Sequence, residues 1–332
     1  MLSRRTWVSA LAATSLNTGL GLLTPAAAQA VKPAARGPLF RKLDIYIPAG
    51  VGGGWDQTGR GLGAAMQAAA LANDITYENK GGKGGTLGLA DFVPRFAKRP
   101  DALFVSGFVM IGALALNQTA EAIQQLTPIA RLTSDTMVLC AAPGKGPQTM
   151  AELVSVLRRD ATSISFTGGS AGGVDHMLAA MVLRVLGLDA GAMKYLPTAS
   201  GKEAVAMLAS GQAQVAISGY SEFKAGIQDQ SLVPLAVSSR KGLFGIASLR
   251  EQGVDTELAN WRAVFAPAGI SAVQKDALRK LVVAATETPL WRQTLVDNNW
   301  LGAVLYGKDF DNFVQVQQGV ATVVASLLKL KR

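Results

Sequence analysis

A strand, a glycine loop and a helix follow one another near the beginning of the chain. The apolar run of residues 43–47 ends at Pro48, and four of the five residues 50–54 are glycine. The Ala-, Met- and Leu-rich segment 56–72 predicts a helix with Asp56 as its N-cap. Glycines let several backbone N–H groups converge, and a helix N-terminus adds partial positive charge. This unit therefore predicts an α/β fold with a loop that holds an anion. A tight loop that binds nothing is the alternative.

The same loop does not have the spacing of a nucleotide-binding motif. A dinucleotide fingerprint read from Gly50 places Trp55 where the third glycine is required. Read from Gly52, it places Gln57 there. No Gly-Lys pair in the chain is followed by Ser or Thr, as a P-loop requires. We therefore exclude phosphate hydrolysis by a P-loop, and we expect neither a nicotinamide nor any other cofactor.

The N-terminus predicts export. Arg4 and Arg5 precede the weakly apolar segment 7–23, and residues 28–30 form an A-x-A cleavage site. We interpret residues 1–30 as a secretory signal peptide, on either the general or the twin-arginine route, and expect a periplasmic protein. The later apolar run 103–116 is too short for a membrane span and predicts buried core instead.

Composition limits the classes of partner. Apolar residues make up 49% of the 332, enough for the large core of two ordinary domains. The net charge of +9 can steer an acidic small molecule. We do not expect nucleic acid, because the basic residues are scattered and only 6% of residues are aromatic. One cysteine, Cys140, and one histidine allow no internal disulfide and no standard zinc site, so no metal is expected.

Strands and helices alternate along the rest of the chain. This pattern predicts parallel-type sheets, with separate strands over 129–131 and 137–142 near a crossing between two halves. Further glycine loops at 79–85 and 168–173 again lie between a predicted strand and a predicted helix. The repeated loops predict two lobes with a cleft between them.

Six motifs then occur in a fixed order over nearly all of the chain after the signal. They are residues 47–56, 78–82, 127–129, 166–170 with His176 behind them, 195–197 and 265–269. This ordered set resembles the exported solute-binding receptors of tripartite tricarboxylate transporters, the Bug-type family. The Gly-Gly-Gly-Trp-Asp-Gln-Thr-Gly-Arg form of residues 52–60 is similar to the tricarboxylate branch of that family.

The resemblance implies a two-lobed, type II periplasmic-binding-protein fold of the α/β class. We assign residues 40–134 and 256–332 to lobe 1 and residues 135–255 to lobe 2. In such a fold, loop N–H groups, hydroxyls and waters hold the ligand carboxylate in the cleft. The implied ligand-binding residues of lobe 1 are Ala49, Gly50, Gly52, Gly53, Gly54, Trp55, Asp56 and Ser106, and those of lobe 2 are Thr167, Gly168, Gly169, Ser170, Gly172, His176, Thr198 and Ser200.

Four positions need individual interpretation. The second-lobe loop has an extra glycine, and Gln214 stands where the resemblance implies an acid. Arg60 either contacts a second ligand carboxylate or lies on a solvated helix face. Asp56 caps its helix, orients loop amides or holds a water. His176 either packs and hydrogen-bonds to its own loop or contacts the ligand.

The resulting functional hypothesis is a monomeric, non-enzymatic receptor. It captures a small di- or tricarboxylate, citrate-like, and delivers it to membrane-embedded transporter subunits. A sensory receptor for a membrane kinase uses the same fold and remains an alternative. A serine hydrolase is a second one, because residues 168–172 satisfy G-x-S-x-G with Ser170 as nucleophile. The sole histidine, His176, lies too close in sequence to serve as the usual late general base.

Overall fold

A computed structural model describes residues 40–198 and 200–328. The predicted signal peptide of residues 1–30 lies outside the described residues. The strands within them are β1 (Phe40–Ile47), β2 (Ala72–Asn79), β3 (Ala102–Gly107), β4 (Leu126–Ala141), β5 (Ser165–Gly168), β6 (Lys194–Pro197), β7 (Val215–Gly219), β8 (Val233–Val237), β9 (Ala259–Pro267) and β10 (Gly302–Tyr306).

Helices follow most of these strands directly. The α-helices are α1 (Gly54–Ala68), α2 (Thr86–Phe96), α3 (Phe108–Leu116), α4 (Met150–Arg159), α5 (Val174–Val185), α6 (Gly201–Ser210), α7 (Tyr220–Gln228), α8 (Ala272–Thr286), α9 (Pro289–Asp297) and α10 (Gly307–Leu328). Short 3₁₀ helices cover Lys83–Gly85, Ala120–Gln125, Ala190–Ala192 and Arg250–Gln252.

The strands pair in the order β2-β1-β3-β9-β4-β7-β5-β6, and β8 and β10 also pair with β4. Pairing is parallel at both ends, where β1 joins β2 and β3 and where β5 joins β6 and β7. The centre is antiparallel, because β9 runs against both β3 and β4. The prediction of parallel-type sheets is therefore correct for the two ends and wrong for the centre.

The 16-residue strand β4 connects the two ends of the sheet. It pairs with β9 along Leu126–Thr136, and its last residues pair with β7 and β8. The sequence predicted two separate strands here, which is wrong. Polar residues around Ser134 interrupt the apolar pattern, but the backbone ladder to β9 continues through them.

A register shift in β4 decides which side chains reach which face of the sheet. Between Arg131 and Thr133 the pairing with β9 slips by one residue. Such a β-bulge reverses the usual alternation of side chains. Arg131 consequently lines a cavity of about 580 Å³ behind the sheet, whereas Asp135, four residues later, faces the opposite side.

The apolar run 103–116 lies inside the molecule, as predicted. It forms most of β3 and all of α3, and nearly all of its side chains are buried in one large hydrophobic cluster. Among the described residues, no helix has the length and apolar character needed to span a bilayer.

Candidate functional site

Two adjoining cavities lie where several glycine loops meet the central strands. The glycine-loop pocket has a volume of about 370 Å³ and is lined by Ala49, Gly50, Gly54, Trp55 and glycines of residues 81–85. The inner pocket, about 190 Å³, is lined by residues 168–170 and by the first residues of α5, α6 and α7. Val109, Glu222, Asn260 and Arg262 line both pockets. We call the two together the cleft.

Arg262 lies at the junction of the two pockets. It extends from β9, and the residue is only 8% exposed. Its Nη1 lies 2.6 Å from Oδ2 of Asp135, and its guanidinium carbon lies 4.3 Å from the ring centroid of Trp300. Its Nη2 lies 3.0 Å from the position that a Cβ on Gly54 would take. The absence of a side chain at residue 54 therefore lets the guanidinium reach the start of α1.

The hydrogen-bonding capacity of Arg262 is largely unused. Among the described residues, Asp135 is its only ion-pair partner, and no hydrogen-bond acceptor lies on its Nε or Nη2. The buried Oδ1 of Asp135 also lacks a hydrogen-bond partner there. Burial lowers the pKa of Arg262 and raises that of Asp135 to about 6, against the opposing charge of the partner. Buried polar groups without partners are costly, so this pair is a candidate for ligand contact.

Carboxylates of the protein itself occupy several loop amides. Asp56 Oδ2 accepts from Gly52 N at 2.8 Å, and Asp175 Oδ2 accepts from Gly169 N at 3.1 Å. Glu222 Oε2 accepts from the backbone N–H of residue 201 at 2.6 Å. These three amides are consequently occupied by acids of the protein itself.

The prediction that Asp56 caps α1 is wrong. The helix begins two residues earlier, with Gly53 in the N-cap position, and Asp56 lies in its first turn. From there its Oδ1 accepts from Asn79 Nδ2 at 2.9 Å and from Arg60 Nε at 2.8 Å. Asp56 therefore orients the loop from inside, which was one of its alternative roles. Arg60 also donates to Asn79 and makes its contacts there rather than in the cleft.

The packed interpretation of His176 agrees with the structure. Its Nδ1 accepts from Gly172 N at 2.9 Å, and its ring stacks on Tyr195 with centroids 4.1 Å apart. Burial lowers the pKa of His176 to about 4. Within the described residues, no hydrogen bond joins His176 to Ser170. The arrangement of nucleophile and general base that a serine hydrolase requires is therefore not formed by these two residues.

Half of the predicted ligand-binding residues line the cleft. Those that do are Ala49, Gly50, Gly54, Trp55, Gly168, Gly169, Ser170 and Ser200. Gly52, Gly53, Asp56, Ser106, Thr167, Gly172, His176 and Thr198 do not.

Three of the residues that do not line the cleft have hydroxyl groups, and each hydroxyl hydrogen-bonds within the protein. Ser106 Oγ donates to the sulfur of Met110 at 3.3 Å. Thr167 Oγ1 donates to the carbonyl of Leu196 at 2.8 Å, and Thr198 Oγ1 donates to the carbonyl of Gly168 at 2.7 Å. Each of them shapes a loop or strand next to the cleft. Gln214, the departure noted in the sequence, hydrogen-bonds to the start of β5 through Ser165 N and does not line the cleft.

Sequence reasoning missed Arg262, Asp135, Asp175, Glu222 and Asn260. For Asn260 and Arg262, the pattern that could have identified them is the alternation of polar and apolar residues at the start of β9, where they flank the buried Trp261. The acids came from remote segments that only the folded sheet brings together. Among the described residues, no group of three acidic, histidine or cysteine side chains is placed to hold a metal ion.

Comparison with known proteins decides the family. The model of the tripartite tricarboxylate transporter family receptor, TctC, matches residues 61–324. The chain belongs to this family. Members of the TctC family are periplasmic solute-binding receptors rather than enzymes.

Individual TctC-like proteins resemble the chain over most of its length. A UPF0065 protein from the TAR-I ttuE-ttuC' intergenic region of Agrobacterium vitis is 24% identical over 296 residues, covering 87% of this chain and 83% of its own. A TctC solute-binding protein from Polaromonas aligns with a TM-score of 0.72 and 21% identity over 87% of this chain and 98% of its own. MatC from Rhodopseudomonas palustris, with bound malate, aligns with a TM-score of 0.67 and 20% identity over 87% and 99%. The predicted periplasmic-binding-protein fold is confirmed.

The buried acid of α5 predicts a pH-dependent stability for this TctC receptor. Burial, and then the charge of Glu222, raise the pKa of Asp175 from 3.8 to about 7, although Gly169 N–H opposes the shift. The folded state therefore binds more protons than the unfolded state between these pH values, and stability falls as pH rises through them. We expect Asp175→Asn to gain stability relative to the wild type from pH 4 to pH 7, by up to about 4 kcal/mol, and to level off above.

Denaturant unfolding at four pH values between 4 and 8.5 measures this difference. Asp160→Asn is the control, because hydrogen bonds from Thr162 lower the pKa of this exposed acid. It should show no gain between pH 4 and pH 7. A constant difference between Asp175→Asn and the wild type across this range contradicts the prediction.

Proposed function

We propose that this TctC-family receptor captures a small di- or tricarboxylate, citrate-like, in the cleft and delivers it to membrane-embedded transporter subunits. The observation that carries the proposal is Arg262, a buried guanidinium with unused donors at the junction of two pockets. A planar guanidinium can bind one carboxylate through two parallel hydrogen bonds. Nε and Nη2, next to Gly54, are the two donors that remain for such a bond.

Helix N-termini add to the attraction for an anion. α1 begins at the glycine-loop pocket, and α5, α6 and α7 begin at the inner pocket. Each N-terminus has a partial positive charge. These partial charges offset part of the negative charge of the acids that line the inner pocket, and the pocket volumes suit a small molecule.

The comparisons support a carboxylate as ligand class. A solved protein with the same fold, MatC, holds malate, which is a small dicarboxylate. The family description names a tripartite tricarboxylate transporter, which supports a membrane transporter as the partner. In this proposal, residues 40–134 and 256–332 form one lobe and residues 135–255 the other. A ligand that joins Arg262 to the second-lobe loops then favours the closed form that the transporter subunits recognise.

Calorimetric titration of the mature, refolded protein tests this function. Unfolding and refolding removes any ligand acquired during expression. The panel contains citrate, tricarballylate, malate, succinate and glucose. We expect saturable one-to-one binding of at least one carboxylate, a melting temperature that rises with its concentration, and no response to glucose. Binding of glucose with silence from every carboxylate contradicts the proposal.

A further inference from the structure

Glu222 and Arg262 line the junction of the two pockets without forming an ion pair. Both side chains line both pockets. Arg262 pairs with Asp135 instead, and none of the ion pairs within the described residues involves Glu222. One oxygen of Glu222 accepts from the backbone of residue 201, and the exposed side chain leaves the other oxygen open to the cleft. A positive and a negative group are therefore both available to one ligand.

The surroundings of Glu222 are acidic. Asp135 and Asp175 line the inner pocket with it, and the charge of Glu222 raises the pKa of both. We call the side of the inner pocket formed by these three acids the wall. A ligand that has only carboxylates is repelled by the wall, because the one full positive charge that the described residues place beside the three acids is that of Arg262. A hydrogen-bond donor on the ligand turns the repulsion at Glu222 into a charge-assisted hydrogen bond.

A neutral donor fits this wall better than a cation does. The N-termini of α5, α6 and α7 converge on the inner pocket, and their partial positive charges offset the acids. Burial also favours the protonated form of Asp175, which reduces the negative charge further. The described acids are not grouped to hold a metal ion that would bridge them to a carboxylate.

We propose that Glu222 is the specificity-determining residue of the cleft and selects 2-hydroxycarboxylates. Arg262 binds the carboxylate, and the open carboxylate oxygen of Glu222 accepts the hydrogen of the hydroxyl on the adjacent carbon. This inference rests on the proposed function and narrows its ligand class. An ionised acceptor favours the hydroxylated ligand over the analogue that lacks the hydroxyl, because only the former makes the charge-assisted hydrogen bond.

Matched ligand pairs test the selection. Malate differs from succinate, and citrate from tricarballylate, by one hydroxyl on the carbon next to a carboxylate. We expect the wild type to bind the hydroxylated member of each pair at least about tenfold more tightly, as for a hydrogen bond to a charged group. Similar dissociation constants within both pairs would overturn the inference while leaving carboxylate binding, and so the proposed function, intact.

Glu222→Gln is the decisive variant. Its amide oxygen can still accept from the backbone of residue 201, which leaves an amide NH₂ facing the ligand. This group cannot accept the hydroxyl hydrogen and can only donate a neutral hydrogen bond to the hydroxyl oxygen, which is weaker than the bond to a carboxylate. The ratio within each pair should therefore fall, while succinate and tricarballylate bind no more weakly. An undiminished ratio in Glu222→Gln overturns the role of this residue.

Glu152→Gln is the matched control. Glu152 also lies in the first turn of a helix and accepts from a loop amide, Gln148 N, at 2.7 Å, but it does not line the cleft. Its substitution should leave both ratios unchanged.

Aspartate extends the malate and succinate series with an ammonium group. Tighter binding of aspartate than of malate would show that the acidic side of the inner pocket prefers an ammonium group. That result would overturn the inference that Glu222 selects a hydroxyl. Silence from every carboxylate would instead contradict the proposed function itself.

Discussion

Replacing Arg262 and Asp135 together, as Arg262→Met with Asp135→Asn, should weaken carboxylate binding by roughly 10²- to 10⁴-fold. Two charge-assisted hydrogen bonds from Nε and Nη2 are lost, at about 1.5–3 kcal/mol each. The double substitution is used because removing only the arginine leaves Asp135 buried without its cation. Replacing both members avoids the larger loss of stability that follows when one charge of a buried pair is left without its partner.

The control for this variant is Arg131→Met. Arg131 lies on the same central strand pair but, because of the β-bulge, on the face behind the sheet. It donates to the carbonyl of Ala303 at 2.8 Å and lies over the ring of Phe313. Calorimetry should find unchanged affinity in this variant. If the double variant binds carboxylate as tightly as Arg131→Met while both stay folded, Arg262 does not hold the ligand.

Gly54→Leu should reduce carboxylate affinity by at least about tenfold without unfolding the protein. A Cβ at this position lies 3.0 Å from Nη2 and 3.2 Å from Nε of Arg262, so a larger side chain displaces the guanidinium and fills the glycine-loop pocket. Residue 54 is the first residue of α1 and has no positive backbone φ, so leucine fits its conformation. Titration calorimetry measures the loss, and the melting temperature monitors folding.

Gly53→Leu is the matched control for Gly54→Leu. The nearest atom to a Cβ on Gly53 is the carbonyl oxygen of Gly50 at 3.4 Å, an ordinary contact, and Gly53 does not line the pocket. Affinity in this variant should stay close to that of the wild type. Equal losses at both positions would show that general loop distortion, rather than the approach to Arg262, causes the effect.

Local patterns predicted the periodic elements well. The sequence predicts a helix after each of the glycine loops 79–85 and 168–173, and the structure has Thr86–Phe96 and Val174–Val185 there. Both segments have apolar residues at helical spacing with clear glycine starts. The strand β10 (Gly302–Tyr306) was missed, because it is short and half exposed and pairs only with β4 within the described sheet.

The candidate site was predicted only where it is local in sequence. Glycine-rich loops can be recognised from composition alone, so the sequence predicted Gly54, Gly169 and their neighbours as site residues. Arg262 and Asp135 were not predicted, because their contact depends on the register of β4 against β9 and on a bulge that no local pattern reveals. The hydrogen bonds that the protein's own acids make to three of the loop amides were missed for the same kind of reason. Each of these acids lies in the first turn of a helix, and its hydrogen bond to a loop amide depends on where that helix begins in the folded structure.

The most direct test is a crystal structure of the refolded mature protein with the carboxylate that binds most tightly in calorimetry. The account predicts a ligand in the cleft, with carboxylate oxygens within hydrogen-bond distance of Nε and Nη2 of Arg262. A ligand in the cavity behind the sheet, or one in the cleft without a contact to Arg262, would contradict it.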